Sequence, residues 1–377
     1  MSTNPSDLNP LVSVLIPAYN AASTLAETMA SVCGQTHRNL DIIIVDDGSV
    51  DATFALASRL SHDDRRIRVL RQDNAGVAAA RNLALRHAAG PLVAPVDADD
   101  LWHPTKIERQ VRRLHEVTDA AIVYCWSVEI DPASRVVELR LDQDEFEGDV
   151  YAALVITNFL GNASVPLLRR DLAVAVGGWD PSLRARKAQG CEDWQFYLRI
   201  AARGRFALER AFLVGYRQSP GAMSRHVAAM RRSYNLVMRE VSDRRPRPPS
   251  NLMRWSRAEF RLYEADLLLA RGDRMRAVGA IGLATLLDPS VIGLASYRRR
   301  LRRIFGPPTF SSGAVTAIAT AQKKGPGIIE ERAVGKSDAI LGRPFHEVPV
   351  ERKFVIREGA VRDRKRSEAA RLKLGPG

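Results

Sequence analysis

The chain has 377 residues, 46% of them hydrophobic, so its length and composition suffice for a sizeable core in one large domain or two smaller ones. Its three cysteines, Cys33, Cys125 and Cys191, are odd in number, far apart and without C-x-x-C spacing, which argues against a disulfide framework or a zinc site and fits a reducing cytosol. The net charge of +13 is unevenly spread: residues 1–240 hold 28 Lys+Arg against 29 Asp+Glu, and residues 241–377 hold 28 against 14. A basic last third suits an anionic membrane surface, nucleic acid or plain solvation. The N-terminal segment lacks a basic n-region followed by a long apolar run, so no signal peptide is expected. No stretch reaches about 18 uninterrupted apolar residues, so membrane contact is expected to be peripheral at most.

In chain order, "LVSVLIPAYN" is a short apolar, β-branched run closed by Pro17 and Asn20, and reads as a buried strand. "STLAETMASVCGQ" predicts a helix with Ser23 or Thr24 as N-cap, apolar Leu25, Met29 and Val32 at helical spacing, and Gly34 as its stop. "LDIIIVDDGSVD" is a second buried strand running into a carboxylate turn. A helix in "DATFALASRLSH", a strand in "IRVLRQ", a helix in "AGVAAARNLALRHAAG" closed by Gly90, and a fourth strand in "PLVAPVDADD" follow. Continuously apolar strands alternating with helices imply a parallel sheet covered on both faces, and such sheets bind ligands at the carboxyl ends of their strands. Three strands end in polar residues, Tyr19/Asn20, Asp46/Asp47 and Asp97/Asp99, which are expected to converge on one crevice.

Further on, "TKIERQVRRLHEV" reads as an amphipathic helix and "AAIVYCWSVEI" as a strand, while residues 131–150 are acidic and loop-like. A strand is expected at 163–168, a helix from Asp171, and a turn in "GGWDP" with a Trp to pack. "CEDWQFYLRIAARG" predicts a helix starting near Glu192/Asp193, and "RFALERAFLVGYRQSPGAMSRH" a strand pair with a Gly/Ser loop after it. Residues 241–250 form a Pro- and Arg-rich linker. Beyond it lie two helices broken at Gly272, similar to half of a tetratricopeptide-type unit and expected to pack on the preceding domain, because one such unit is not stable alone. "SYRRRLRRIFGPP" is a basic amphipathic segment. From about 307 the composition is charged and broken by Gly and Pro, and much of it is expected to be poorly ordered. The reading is therefore a domain over 1–240, a helical region over 241–306 and a basic tail over 307–377.

"PVDADDLWHP" crowds Asp97, Asp99 and Asp100 into four positions at a strand end. Asp97 and Asp99 alternate and so point to different sides of the pleat. One can take a sugar hydroxyl while the other takes a hard cation such as Mg²⁺ or Mn²⁺, which prefers oxygen ligands and few carboxylates. Such crowding costs Coulomb repulsion unless a cation offsets it. The alternative is an Asx-rich turn capping the helix near Pro104. "DDGSVD" can likewise be a turn with Asp51 as a cap, or present a carboxylate to a nucleobase imide N–H or a ribose hydroxyl. In "NAGVAAARN", Gly76 opens a helix and Arg81 follows about one and a half turns in, an arrangement suited to phosphate or simply a surface helix. Asp193, in "CEDWQFYL", is a helix cap or a general base.

In order and spacing, "VSVLIPAYN", "VDDGSVDAT", "QDNAGVAAARN", "PVDADDLWHP", "VGGWDPSL" and "CEDWQFYLR" make the chain resemble the family-2 glycosyltransferases of the GT-A fold, over roughly residues 11–226. The resemblance implies an α/β fold with a Rossmann-like mixed, mainly parallel sheet flanked by helices. It implies a nucleotide-sugar donor, most often a UDP-sugar, and transfer with inversion. By the same resemblance "DADD" is similar to a D-x-D motif: Asp99 would bind the divalent cation, Mn²⁺ or Mg²⁺, and Asp97 would contact ribose or sugar or join the metal. Pro17, Tyr19, Asp46 and Asp47 would line the nucleoside pocket, with Arg81 near the donor. Asp193 would deprotonate the acceptor hydroxyl, oriented by Glu192, and Asp100 would be a cap or a support. His226 falls where some relatives add a diphosphate or metal contact, or is a plain surface histidine.

The Q-x-x-R-W motif of processive synthases is missing, which argues for single-sugar addition. The implied setting is the cytoplasm, at the inner membrane face, with a glycan or lipid-linked glycan as acceptor in bacterial surface polysaccharide synthesis. A nucleotidyltransferase would favour a Lys- and Gly-rich phosphate loop, and "IPAYNAAST" has neither feature. A nucleic-acid binder acting through the tail predicts interleaved aromatics, and residues 307–377 hold only Phe310, Phe345 and Phe354.

Overall fold

The computed structural model describes residues 9–138, 145–218, 226–244, 247–305 and 342–347. Strands β1 (Val12–Ala18), β2 (Leu40–Asp46), β3 (Ile67–Arg71) and β4 (Leu92–Pro95) alternate with helices α1 (Leu25–Cys33), α2 (Thr53–Asp63) and α3 (Val77–His87). β1 pairs with β2 and β4, and β2 with β3, all in parallel. β1 is buried along its whole length and β2 at every residue but Asp41, as a sheet covered on both faces requires. The carboxyl ends of β1, β2 and β4 therefore share one edge, as the alternating pattern implies.

The chain then adds β5 (Leu101–Trp102), α4 (Lys106–Glu116), β6 (Ala120–Ile130), β7 (Val136–Glu138), α5 (Tyr151–Ile156), β8 (Leu167–Arg169), α6 (Arg170–Ala175), α7 (Ser182–Ala185), α8 (Glu192–Ala201) and β9 (Arg205–Arg217). The sheet order is β3-β2-β1-β4-β8-β6-β9-β5, with β7 on β6, and β8 runs antiparallel to both neighbours. Two sequence expectations are corrected here. The strand expected at 163–168 begins at Leu167, because Pro166 has no N–H for the ladder and the carbonyls of Ser164 and Val165 serve side chains, those of Trp102, Gln110 and Cys125. The expected strand pair after Gly204 is one strand of 13 residues. "ALERAFLV" holds none of the Gly, Pro, Asn or Asp that a hairpin turn uses, and β9 instead absorbs its irregularity in pairing register opposite Cys125–Ser127.

Helices α9 (Val227–Asp243), α10 (Ser250–Ala270), α11 (Arg274–Leu287) and α12 (Ala295–Phe305) follow. Leu252, Met253, Trp255 and Phe260 of α10 join the main core, while Ala258, Leu262 and Ala265 build a second, smaller core with Ala277, Ile281 and Ala284 of α11. The helical pair thus packs on the sheet domain. Part of the tail expected to be poorly ordered is instead seated on that domain. The Gly342 N–H donates to the Val136 carbonyl at 2.7 Å, and Phe345 is buried against Gly215 of β9. The rest of 307–377 lies outside the described residues.

The turn after β2 holds the next loop at close range. Gly48 has φ +72°, and a Cβ there would stand 2.7 Å from the Asn74 amide nitrogen. Gly48→Ala is expected to cost about 1–3 kcal/mol, read as a lower urea midpoint with an unchanged slope. A midpoint equal to wild type would show that the loop yields freely.

Candidate functional site

The three crowded carboxylates at the end of β4 have different fates. The turn itself is pinned from three sides. The Asp97 N–H donates to Ser164 Oγ at 3.0 Å, the Thr24 hydroxyl donates to the Ala98 carbonyl at 2.9 Å, and Arg217 Nε donates to the Asp99 carbonyl at 2.7 Å. Thr24 stands at the N-cap position of α1, as expected, but its hydroxyl makes no capping bond to that helix. Asp100 is fully buried and turned inward: Ser164 Oγ donates to it at 2.5 Å and the Arg217 N–H at 2.9 Å. It supports the turn, and the N-cap of α4 is Thr105. Asp99 is half-buried, and no other residue donates a hydrogen bond to its carboxylate among the described residues. Burial, then repulsion from Asp97, pushes its pKa up to about 6, with Arg217 opposing.

Arg81 joins Asp97 to the second acidic motif. It is 2% exposed, and its guanidinium donates to Asp97 Oδ1 at 2.5 Å and to Asp193 Oδ1 at 2.6 Å. Burial disfavours its charge, but the attraction of Asp193 and Asp97 outweighs that and raises its pKa, so Arg81 stays cationic. Asp193 lies in the first turn of α8, with Trp179 Nε1 donating to the same Oδ1 at 3.1 Å. Oδ2 of Asp193 receives no hydrogen bond among the described residues. Burial pushes Asp193 up to about 7, helped by Glu192 and Asp97 and opposed by Arg81 and Trp179. Trp179 also covers Arg81 at 5.9 Å and stacks on Phe196 at 4.1 Å.

The remaining expected residues differ in burial and in hydrogen-bond partners. Asp46 ends β2 fully buried, with neither carboxylate oxygen hydrogen-bonded; Arg71 Nε is 3.1 Å away but poorly aligned. Pro17 is buried in β1, and Tyr19 just beyond it is 52% exposed. Asp47 spends both oxygens on the next loop, accepting from Gln72 Nε2 and from the N–H groups of Ala75 and Gly76 at 2.7–2.8 Å. Glu192 accepts from the Gly190 N–H at 2.7 Å and makes no hydrogen bond to Asp193, so it acts on it through charge alone. His226 is exposed at the start of α9, and its neighbours 219–225 lie outside the described residues. Sequence reasoning missed Ser164, Arg217 and the hydrogen bond from Trp179; only the Trp in "GGWDP" left a trace, as a packing residue.

Among the described residues no three His, Cys, Asp or Glu side chains cluster to cage a metal. The residues present still fit a hard cation held mainly from outside the protein. Asp99 is uncommitted, Asp97 keeps one oxygen without a hydrogen bond, and phosphate or water oxygens would complete the shell.

The Glycosyl transferase family 2 sequence model matches residues 13–160, the span that carries β1 to β4 and the Asp97–Asp100 turn. This segment is a family-2 glycosyltransferase domain. An uncharacterised glycosyltransferase of Rickettsia typhi is 38% identical over 200 residues, which are 52% of this chain and 60% of that protein. TuaG of Bacillus subtilis, named for teichuronic acid biosynthesis, is 43% identical over 108 residues, 28% of this chain and 43% of that protein. The chondroitin synthase of Pasteurella multocida is 29% identical over 149 residues, 40% of this chain and 15% of that protein. The chain thus covers between 15% and 60% of the length of these relatives. Among solved structures, TarS 1–349 of S. aureus in complex with UDP superposes with a TM-score of 0.52 at 15% identity, covering 85% of this chain and 94% of that one. The mannosyltransferase PcManGT of Pyrobaculum calidifontis, in complex with GDP-Man and Mn²⁺, gives 0.51 at 17% identity, covering 83% and 80%. The fold of the glycosyltransferase domain is GT-A, as the resemblance implies. Among the described residues no helix is long and apolar enough to cross a membrane.

In the domain without donor, Asp99 carries a cost that depends on pH. Its folded pKa of about 6 lies above its ordinary value of 3.8, so the penalty is absent below pH ~4 and complete above pH ~6. Asp99→Asn should therefore raise the melting temperature at pH 8, by no more than about 3 kcal/mol of stability, and give no gain at pH 4. An equal effect at both pH values would place the cost elsewhere.

Proposed function

We propose that the domain transfers a single sugar from a nucleotide-diphospho-sugar, a UDP-sugar in the first instance, to an acceptor hydroxyl with inversion at the anomeric carbon. The acceptor would be a glycan or lipid-linked glycan of a bacterial surface polysaccharide. The observation that carries this reading is the asymmetric grip on Asp193. Both of its donors, Arg81 and Trp179, hold Oδ1, which fixes the carboxylate and leaves Oδ2 for a proton. Support comes from the family match, from TuaG and the chondroitin synthase, and from the UDP and GDP-Man named with the structural neighbours.

In this reading Oδ2 takes the hydroxyl proton as the acceptor oxygen attacks the anomeric carbon. The bond from that carbon to the diphosphate oxygen breaks, and the nucleoside diphosphate leaves with the electron pair. One in-line displacement inverts the centre and needs no enzyme nucleophile. Asp46, a buried carboxylate that accepts no hydrogen bond among the described residues although Arg71 lies 3.1 Å away, would take a nucleobase N–H, with Pro17, Asp47 and exposed Tyr19 lining the nucleoside pocket. Asp99, with the second oxygen of Asp97, would hold Mn²⁺ or Mg²⁺. When bound, that ion offsets charge on the diphosphate. Glu192 keeps Asp193 basic through charge, and His226 would add a further contact to the diphosphate or the metal.

Asp193→Asn should retain donor binding and lose about 10²–10⁴-fold in transfer. In wild type kcat/KM should fall as pH drops through about 7, the value to which burial raises Asp193 in the free protein. Normal transfer by the variant would remove Asp193 as the base. Separately, a panel of UDP-, GDP- and dTDP-sugars measured by calorimetry should yield a donor whose affinity rises with Mn²⁺, and Asp99→Ala should abolish that rise. Metal-independent binding in both proteins would remove Asp99 as a metal ligand.

A further inference from the structure

A second, differently built cleft lies among the C-terminal helices. It has a volume of about 580 Å³ and is lined by α9, α10 and α11. Its rim carries four arginines, Arg231, Arg239, Arg257 and Arg261. Buried Glu264 is the acid there: Arg231 pairs with it, and Arg261 donates to it at 2.6 Å. Arg239 and Arg257 pair with no carboxylate among the described residues, so the rim keeps a net positive charge. The floor is apolar, made by Tyr234 stacked on Phe260 at 3.9 Å and by Met238 and Met253. Cationic rim over apolar floor matches a phosphate attached to hydrocarbon.

The wall of this cleft continues into an unpartnered apolar face. Leu283 of α11 lines the cleft and is 47% exposed. It belongs to a stripe of Met275, Val278, Leu283 and Leu286 at helical spacing, in which Met275 is 84% and Leu286 81% exposed. Residues 277–287 contain no charged side chain, although the opposite face, Ala277, Ala280, Ile281 and Ala284, already fills the core. Six of the ten large hydrophobic side chains exposed among the described residues fall between 275 and 305. Such a concentration marks an interaction surface rather than ordinary scatter. α12, beside the turn at Pro289–Gly293, adds exposed Phe305 with Arg298 and Arg302, which also pair with no acid among the described residues.

We propose that the C-terminal helices dock on an anionic phospholipid bilayer, with the outer face of α11 entering the interface and the arginine-rimmed cleft receiving a lipid phosphate. A polar groove on a protein partner would not call for Met275 and Leu286 to stand bare, and a purely apolar partner would leave Arg239 and Arg257 without counter-charge. Interfacial segments combine these two features. The inference concerns where the protein binds and does not rest on the sugar-transfer reading.

The test is sedimentation of the full chain with phosphatidylcholine vesicles, with and without phosphatidylglycerol. Binding is expected only with the anionic lipid, weakening as salt rises. The pairs Met275→Asp/Leu286→Asp and Arg239→Glu/Arg257→Glu should each lower the partition coefficient by about ten-fold or more, with donor binding unchanged. Hydrogen exchange on the unmodified protein should show residues 275–287 protected by the anionic vesicles, which removes any dependence on variants that fold poorly. The proposal is overturned by equal binding to neutral vesicles, by unchanged partition in either pair, or by no protection of α11. It is likewise overturned if the apolar face proves to be a dimer contact, broken by Leu286→Asp without any lipid response. Glycerol phosphate that competes as well as vesicles do would assign the cleft to a free phosphate ester instead.

Discussion

One buried guanidinium holds the site together. Arg81 stands between Asp97, at the end of β4, and Asp193, at the start of α8, and its own side chain is 2% exposed. Truncating such a group would leave two carboxylates facing each other in a low dielectric, a change that in buried pairs costs about 3–5 kcal/mol. Its placement depends on a longer chain of contacts. Asp47 grips the N–H groups of Ala75 and Gly76, which sets the start of α3 and brings Arg81 inward one and a half turns later. The DDGS turn therefore helps to place Arg81 without touching it. It is a positioning device, and Gly48 is required there because nothing with a Cβ fits against Asn74.

The same logic explains how three carboxylates share four positions. Their repulsion is not relieved by one common partner. Asp100 is withdrawn to Ser164 and the Arg217 amide, Asp97 is matched by Arg81, and the remaining charge is concentrated on Asp99. Arg217 ends β9 and reaches the Asp99 carbonyl, the Asp131 and Pro132 carbonyls and Glu27, so it locks the turn to three separate segments. Preorganisation of this kind lets a single carboxylate point outward with little freedom to relax away from a ligand.

How much of this was legible depends on whether the signal was local. The β1–α1–β2–α2–β3–α3–β4 order followed from apolar runs, helical spacing and Gly stops, because each is a property of a few consecutive residues. The acidic motifs were legible as motifs for the same reason. The division of labour among them was not, since Ser164, Trp179 and Arg217 come from segments 64 to 117 residues away from Asp100 or 14 from Asp193, and nothing local announces which partner each will meet. Asp47 illustrates the limit. In sequence it is indistinguishable from Asp46, yet a one-residue step leaves one carboxylate buried beside Arg71 without a hydrogen bond and gives the other to a backbone loop. β9 runs as a single strand where a pair is expected, because no turn residue in "ALERAFLV" divides it.

The two cationic regions of the molecule differ in how far their charges are buried and paired. Arg81 and Arg217 are buried and paired with carboxylates and carbonyls, so their charge acts first on other groups of the protein. Arg239, Arg257, Arg298 and Arg302 are exposed and unpaired among the described residues, beside apolar side chains that the core does not claim. A charge held in low dielectric resists ionic strength, whereas exposed charges are screened within about 10 Å at 0.1 M salt. Salt should therefore leave the carboxylate crevice largely intact while loosening the C-terminal helices from any anionic surface. The crevice and the apolar, arginine-rimmed face can thus be separated by one physical variable, although α10 contributes to the cores of both.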